Sequence, residues 1–229
     1  MRATVAATGP DAPVSTCPEW TVHDLVRHLG RVHNWVVKCL RTDPGAESPK
    51  ADDPPEDWDA LLAWWDEQRA NLVGGLRGFD PDAPAWVFLP KVNHTAGFWA
   101  RRQAHETAIH RLDAEVAAAG PDLPSLIFDP EFAADGIDEA LNLMIPRRLS
   151  REPVMAAGTV LFHAADAGRA WLIELRPGEP PETISAAPGV DADASVVGTA
   201  DAVYRATWKR PSTAVSGGNL ELLAALRTP

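Results

Sequence analysis

The stretch WTVHDLVRHLGRVHNWVVKCLR, residues 20–41, decides how the first half of the chain is read. Thr21 can cap a helix, and Asp24, three residues on, can answer it in a weaker version of the capping box. Val22, Leu25, Val26, Leu29, Val32, Val36 and Leu40 then recur at helical spacing, so the segment reads as one amphipathic helix over 21–41. Working outward, 43–55 is a polar, proline-bearing loop. Trp58, Leu61, Leu62, Trp65, Leu72, Val73 and Leu76 form a second stripe and predict a helix over 57–77 that ends at Gly74, Gly75 and Gly78. Pro81, Pro84 and Pro90 exclude a regular helix from 79–94. Thr95 opens a third helix carrying Phe98, Trp99, Ile109 and Val116, which Gly120 and Pro121 close. Only Met1–Thr8 precede Gly9 and Pro10, room for about two helical turns.

The pattern changes beyond Pro121. An Asp- and Pro-rich linker leads to a helical stretch over 137–148, and then to short β-type runs at 158–163, 171–175, 182–185 and 194–197. Two short helices are expected over 200–208 and 218–227. Helices followed by strands predict two domains, an all-α one over 1–122 and an α+β one over 130–229.

Composition narrows the function. The 229 residues are 45% hydrophobic and 23% charged, which fits a folded globular protein and excludes disorder. Acidic side chains outnumber basic ones 32 to 21, a net charge of −11 that opposes attraction to nucleic acid or an anionic membrane. No apolar run approaches the roughly 20 residues of a spanning helix, and the N-terminus lacks a signal peptide's apolar core, so a cytoplasmic location is expected. Cys17 and Cys39 are too few for a disulfide framework and too far apart for a CxxC site, and neither is a nucleophile by default. The nine tryptophans against one tyrosine belong to core or pocket walls.

Five of the seven histidines, His23, His28, His33, His105 and His110, lie on two of the predicted helices. The run His105-Glu106-Thr107-Ala108-Ile109-His110 is one residue too long for the zinc-protease pattern HExxH, and its two histidines diverge by about 140° around the helix. Glu106 and His110 are one turn apart and share a face. With one histidine from a facing helix they make two imidazoles and a carboxylate, a usual donor set for metals inside helical bundles. At this spacing a Glu-His pair is also an ordinary contact on a wet helix face. The helical wheel leaves His28 and His33 both open as the third donor: His33 lies in the apolar stripe, His28 on its flank.

Cys17-Pro18-Glu19-Trp20-Thr21-Val22-His23-Asp24-Leu25-Val26-Arg27-His28-Leu29-Gly30 and Gly97-Phe98-Trp99-Ala100-Arg101-Arg102, followed by His105 through Asp113, resemble the mycothiol-dependent maleylpyruvate isomerase family of DinB-like metalloproteins. Gly198-Thr199-Ala200-Asp201, Trp208-Lys209-Arg210-Pro211 and Val215-Ser216-Gly217-Gly218 resemble that family's sterol-carrier-like α+β domain, so the likeness covers nearly the whole chain. It implies an up-and-down helical bundle and a divalent metal, usually zinc, on His28, Glu106 and His110. His33 is then the reserve ligand, and His23 and His105 are wall or core residues. Asp113 would orient His110 from behind.

The family's chemistry implies a small-molecule thiol cofactor, mycothiol. Its thiolate, favoured by the metal, adds to a cis-enedione acid, permits rotation about the former double bond and leaves again. An arginine would hold the substrate carboxylate and the developing enolate. Arg210 matches an arginine of the family's C-terminal motif and is the first choice, followed by Arg102 and then Arg101.

The expected function is therefore a mycothiol-using cis-trans isomerase or S-transferase acting on a small electrophilic acid. The sequence also departs from the family pattern. The helix before Cys17 is short: either the start lies further upstream, or the bundle wall it leaves open would be covered by the second domain or by a second copy in a homodimer. Asn219 stands where the family more often has Asp. The competing reading is a non-catalytic, metal-containing protein that binds a small molecule or lipid; a weaker one is a DinB-like fold without its metal.

Overall fold

A computed structural model describes residues 1–120 and 127–226. It divides into two compact units, Met1–Leu123 and Pro124–Pro229. The linker expected after Pro121 falls partly outside the described residues.

The first unit is helical: α1 (Arg2–Thr8), α2 (Val22–Cys39), α3 (Trp58–Gly78) and α4 (Ala96–Ala119). Each long helix starts where a side chain satisfies an orphan amide. Thr21 and Asp24 form a reciprocal capping box on α2, Asp57 accepts from the Ala60 amide, and Thr95 accepts from the Phe98 amide. Gly120, at φ 84°, ends α4 in a conformation that costs glycine little. The α2 stripe is divided between two apolar clusters. Its first half packs Val22, Leu25, Val26 and Leu29 with Leu61, Leu62 and Trp65 of α3 and with Val5 of α1. Its second half packs Val36, Cys39 and Leu40 with Leu72, Val87 and Trp99. Between them Gly30 lies against the ring of Trp64, where a Cβ would overlap the indole. The missing side chain lets α2 and α3 approach closely. The two turns of α1 bury Val5 completely.

The segment from Pro10 to Thr21 folds back on itself. The Val14 amide donates to the Trp20 carbonyl at 2.8 Å, and the Trp20 amide to the Cys17 carbonyl at 3.0 Å. Glu19 turns the corner at φ 73°, which presents Trp20 to α2. The proline-bearing stretch 79–94 is irregular, as expected, and its Trp86 amide caps the end of α2 by donating to the Cys39 carbonyl.

The second unit places α5 (Pro130–Glu139), a π-helical turn (Ala140–Met144) and α6 (Ile145–Leu149) before a five-stranded sheet. The helix begins earlier than the predicted 137 because Asp129 caps it and Pro130 supplies a first-turn residue whose missing amide costs nothing there. Downstream, Pro146 has no amide to give to the Asn142 carbonyl, and the ladder widens into the π turn just before it. Strands β1 (Gly158–Ala164), β2 (Arg169–Leu175), β3 (Glu182–Ser185), β4 (Ala194–Gly198) and β5 (Val215–Gly218) lie in the order β3-β2-β1-β4-β5. All neighbours are antiparallel except β1 and β4. Helix α7 (Ala200–Thr207) packs against β1 and β4, and α8 (Leu220–Ala225) closes the described chain.

The helix expected over 218–227 is present as α8, with position 227 outside the described residues; unexpected is the strand before it, β5. Its sequence, Val-Ser-Gly-Gly, carries no alternating apolar signal, and its hydrogen bonds to β4 define it. Gly218, at φ 75°, sits against the Asp193 carbonyl where a Cβ has no room.

Candidate metal centre

Helices α2 and α4 bring His28, Glu106 and His110 together. His28 Nε2 lies 2.9 Å and His110 Nε2 3.4 Å from the same oxygen, Glu106 Oε1. The three facing atoms all lie within 4.8 Å of one another. Two donors on a tetrahedral ion at the usual ~2.0–2.2 Å stand roughly 3.4 Å apart, so these side chains fit a divalent ion with little movement.

Each donor is held from behind. His110 Nδ1 lies 2.8 Å from Asp113 Oδ2, so donation to the carboxylate turns Nε2 toward Glu106. Asp113 is fully buried and also accepts from Thr16 Oγ1 at 2.6 Å and from Cys17 Sγ at 3.4 Å. The other oxygen of Glu106 accepts from buried Arg102 at 3.0 Å, which leaves Oε1 facing the imidazoles. Trp20 covers both rings, with its centroid 5.0 Å from that of His28 and 5.9 Å from that of His110. Cys17, His110 and Asp113 also cluster, but there the Nδ1 atom is already engaged by the carboxylate, so the cluster supports the ring.

The charged groups of the cluster stabilise one another. Burial opposes the charged form of Glu106, yet hydrogen bonds from His110 and His28 and the charge of Arg102 hold its carboxyl well below the usual range. Burial likewise opposes protonation of His110, yet Asp113, Cys17 and Glu106 together hold its pKa well above the usual imidazole value. With the guanidinium of Arg102 on Glu106, a proton on His110 completes the balance against the two carboxylates. A divalent ion would take over that charge.

The remaining predicted residues are placed as follows. His33 is 1% exposed, and among the described residues neither ring nitrogen has a hydrogen-bond partner; burial pushes its pKa down to about 4. His23 stands outside the centre, with Nε2 3.0 Å from the Glu56 carbonyl and its ring against Trp58. His105 is buried on α4. Arg102, a candidate for holding substrate, pairs with Glu106 at 3.0 Å, four residues along its own helix. Arg101 is half-buried on the same helix. Arg210 belongs to the second unit, where Nη1 donates to the Trp208 carbonyl at 2.7 Å. Thr16 was not singled out by the sequence: its partner lies 97 residues away, and no local pattern signals the contact.

The comparisons with known proteins agree with this architecture. Residues 1–115 match the family model described as the mycothiol maleylpyruvate isomerase N-terminal domain, and residues 131–225 match the MDMPI C-terminal domain. The chain therefore belongs to the mycothiol-dependent maleylpyruvate isomerase family. A solved structure described as the crystal structure of the mycothiol-dependent maleylpyruvate isomerase is similar over 100% of this chain and 88% of that one, with a TM-score of 0.61 and 16% identity. At that identity the likeness shows a shared fold. No curated protein matches the chain. Among the described residues no helix is long and apolar enough to cross a membrane.

Proposed function

We propose that this chain is a metal-dependent, mycothiol-using enzyme, a cis-trans isomerase or thiol S-transferase acting on a small electrophilic acid in the cytoplasm. The observation that carries the reading is the convergence of His28 Nε2, His110 Nε2 and Glu106 Oε1, with Asp113 fixing the far nitrogen of His110. Two imidazoles and a carboxylate suit zinc and leave room for a further donor. A divalent ion held there supplies the positive charge that favours thiolate over thiol in a small-molecule thiol at neutral pH.

The chain's own residues prepare that chemistry. Asp113 fixes the tautomer and orientation of His110, and Arg102 acts as a positioning residue by holding Glu106 Oε2. Trp20 packs against both imidazoles. Arg210 is proposed to stabilise the enolate that develops when a thiolate adds to the acid's double bond. No protein sulfur is needed as nucleophile: burial pushes the Cys39 thiol up to about 12, and Cys17 is spent on Asp113.

The second reading, a non-catalytic binding protein, draws on an apolar cavity in the second unit lined by Phe162, Val196 and Leu223. Its volume of about 200 Å³ falls below the usual ~300 Å³ minimum for ligand pockets, so the metal centre weighs more.

Elemental analysis tests the reading. About one metal per chain is expected in the native protein and almost none in His110→Ala. In the cobalt-substituted protein, added mycothiol should change the visible spectrum. Metal content indifferent to His110→Ala would remove the site, and a silent cobalt spectrum would favour the binding protein.

A further inference from the structure

His28 belongs to a stripe of α2 that also carries Asp24, Arg31 and Trp35, at spacings that turn all four to one side. With the segment 49–53, this side encloses an open pocket of about 760 Å³. The outer wall is tied to the helix: Trp35 Nε1 donates to the Pro49 carbonyl at 3.0 Å, Lys38 Nζ to the Lys50 carbonyl at 2.9 Å, and Asn34 both donates to and accepts from Asp52. The pocket is therefore preformed.

Its charges are not balanced. Asp24 is engaged by the amide and hydroxyl of Thr21, and Arg27 pairs with Glu56 at 3.1 Å. Arg31 and Lys50 are exposed, and among the described residues neither side chain has an ion pair or hydrogen bond. The lining carboxylate in the same condition is Asp53. In a chain of net charge −11, a preformed pocket with spare cations runs against the general surface. Trp20 and Trp35 supply its flat apolar walls, and His28 opens directly into it.

We propose that this pocket binds a small, flat organic carboxylate, with Arg31 and Lys50 as its anion anchors and the two indoles against its body. A guanidinium can hold a carboxylate through two parallel hydrogen bonds, while a lysine adds a point charge. Arg31 is one turn from His28, so the Cβ atoms of the anchor and of the proposed metal ligand lie about 5–6 Å apart on the same side of α2. The assignment deepens the proposed function by placing the acid substrate; it rests on that reading for the reaction and not for the binding.

The test is calorimetric titration of the full chain with fumarate, and with fumaramide as the uncharged control. Saturable fumarate binding is expected, with none for fumaramide. Arg31→Glu should weaken it about tenfold, and Lys50→Glu by less. Arg77→Glu makes the same charge change on an exposed residue outside the pocket and should leave affinity unchanged. No saturable binding to the native chain, equal binding of fumaramide, or equal weakening by Arg31→Glu and Arg77→Glu would overturn the assignment. Metal analysis of the same samples separates the two proposals. A metal-free chain that binds fumarate through Arg31 keeps the pocket and loses the metal reading. A metal-loaded chain indifferent to Arg31→Glu does the reverse.

Discussion

The helical unit and the sheet unit bury different kinds of side chain. The described residues with buried polar or charged groups include His33, Asn34, Gln68, Arg102, Gln103, His105, His110 and Asp113 in the helical unit, but only Glu139 and Thr207 in the sheet unit. Burying polar groups costs free energy unless each finds a partner, and a fold gathers them where they serve chemistry. The sheet unit instead buries Val160, Phe162, Trp171 and Ile173 around an apolar core. One unit is organised around charge and the other around exclusion of water.

Three experiments test that contrast, taken from the largest expected effect. Phe162 is 4% exposed in β1, and Phe162→Ala should cost about 3–5 kcal/mol in denaturant titration while the folded protein keeps its metal content. Loss of metal from the folded variant would break the contrast. The second experiment concerns acid. His33 has its pKa lowered from 6.5 to about 4 by burial, so it is neutral when folded and binds a proton more readily when unfolded. Its contribution is complete above pH 6.5 and is lost as the pH falls to 4, about 3 kcal/mol in all. Stability followed against pH should show this decline, and His33→Leu should flatten it. An unchanged decline in that variant would assign the acid sensitivity elsewhere. The smallest effect is expected from Asp113→Asn, which keeps the shape but weakens the brace on His110. Chelator competition should show metal affinity lower by about 10- to 100-fold, and unchanged affinity would make Asp113 a packing residue only.

Local signals made much of the helical unit legible. Thr21 and Asp24 announced the start of α2, and the four-residue spacing of Glu106 and His110 put both on one face. The wheel could not choose between His28 and His33, because one lies on the flank of the apolar stripe and the other within it, and either place can serve a ligand or a core residue. The facing helix distinguishes them: His28 Nε2 meets Glu106, whereas buried His33 has no hydrogen-bond partner among the described residues. The contacts of Thr16 and Cys17 with Asp113 join residues about a hundred positions apart and leave no periodic trace. Strand β5 was illegible for a related reason. Its identity comes from a neighbour, β4, and from a glycine fitted against a distant carbonyl.

The contact between Gly30 and Trp64 has a meaning for anyone wishing to redesign the molecule. Position 30 is two residues from His28, about 200° around α2, and so lies on the opposite side from the imidazole. A side chain added there would have to force α2 and α3 apart, and His28 and Arg31 would shift with α2. Positions 30 and 64 therefore form a single unit of variation: one can grow only if the other shrinks. Reshaping the pocket begins at its back wall, with a residue that has no side chain of its own.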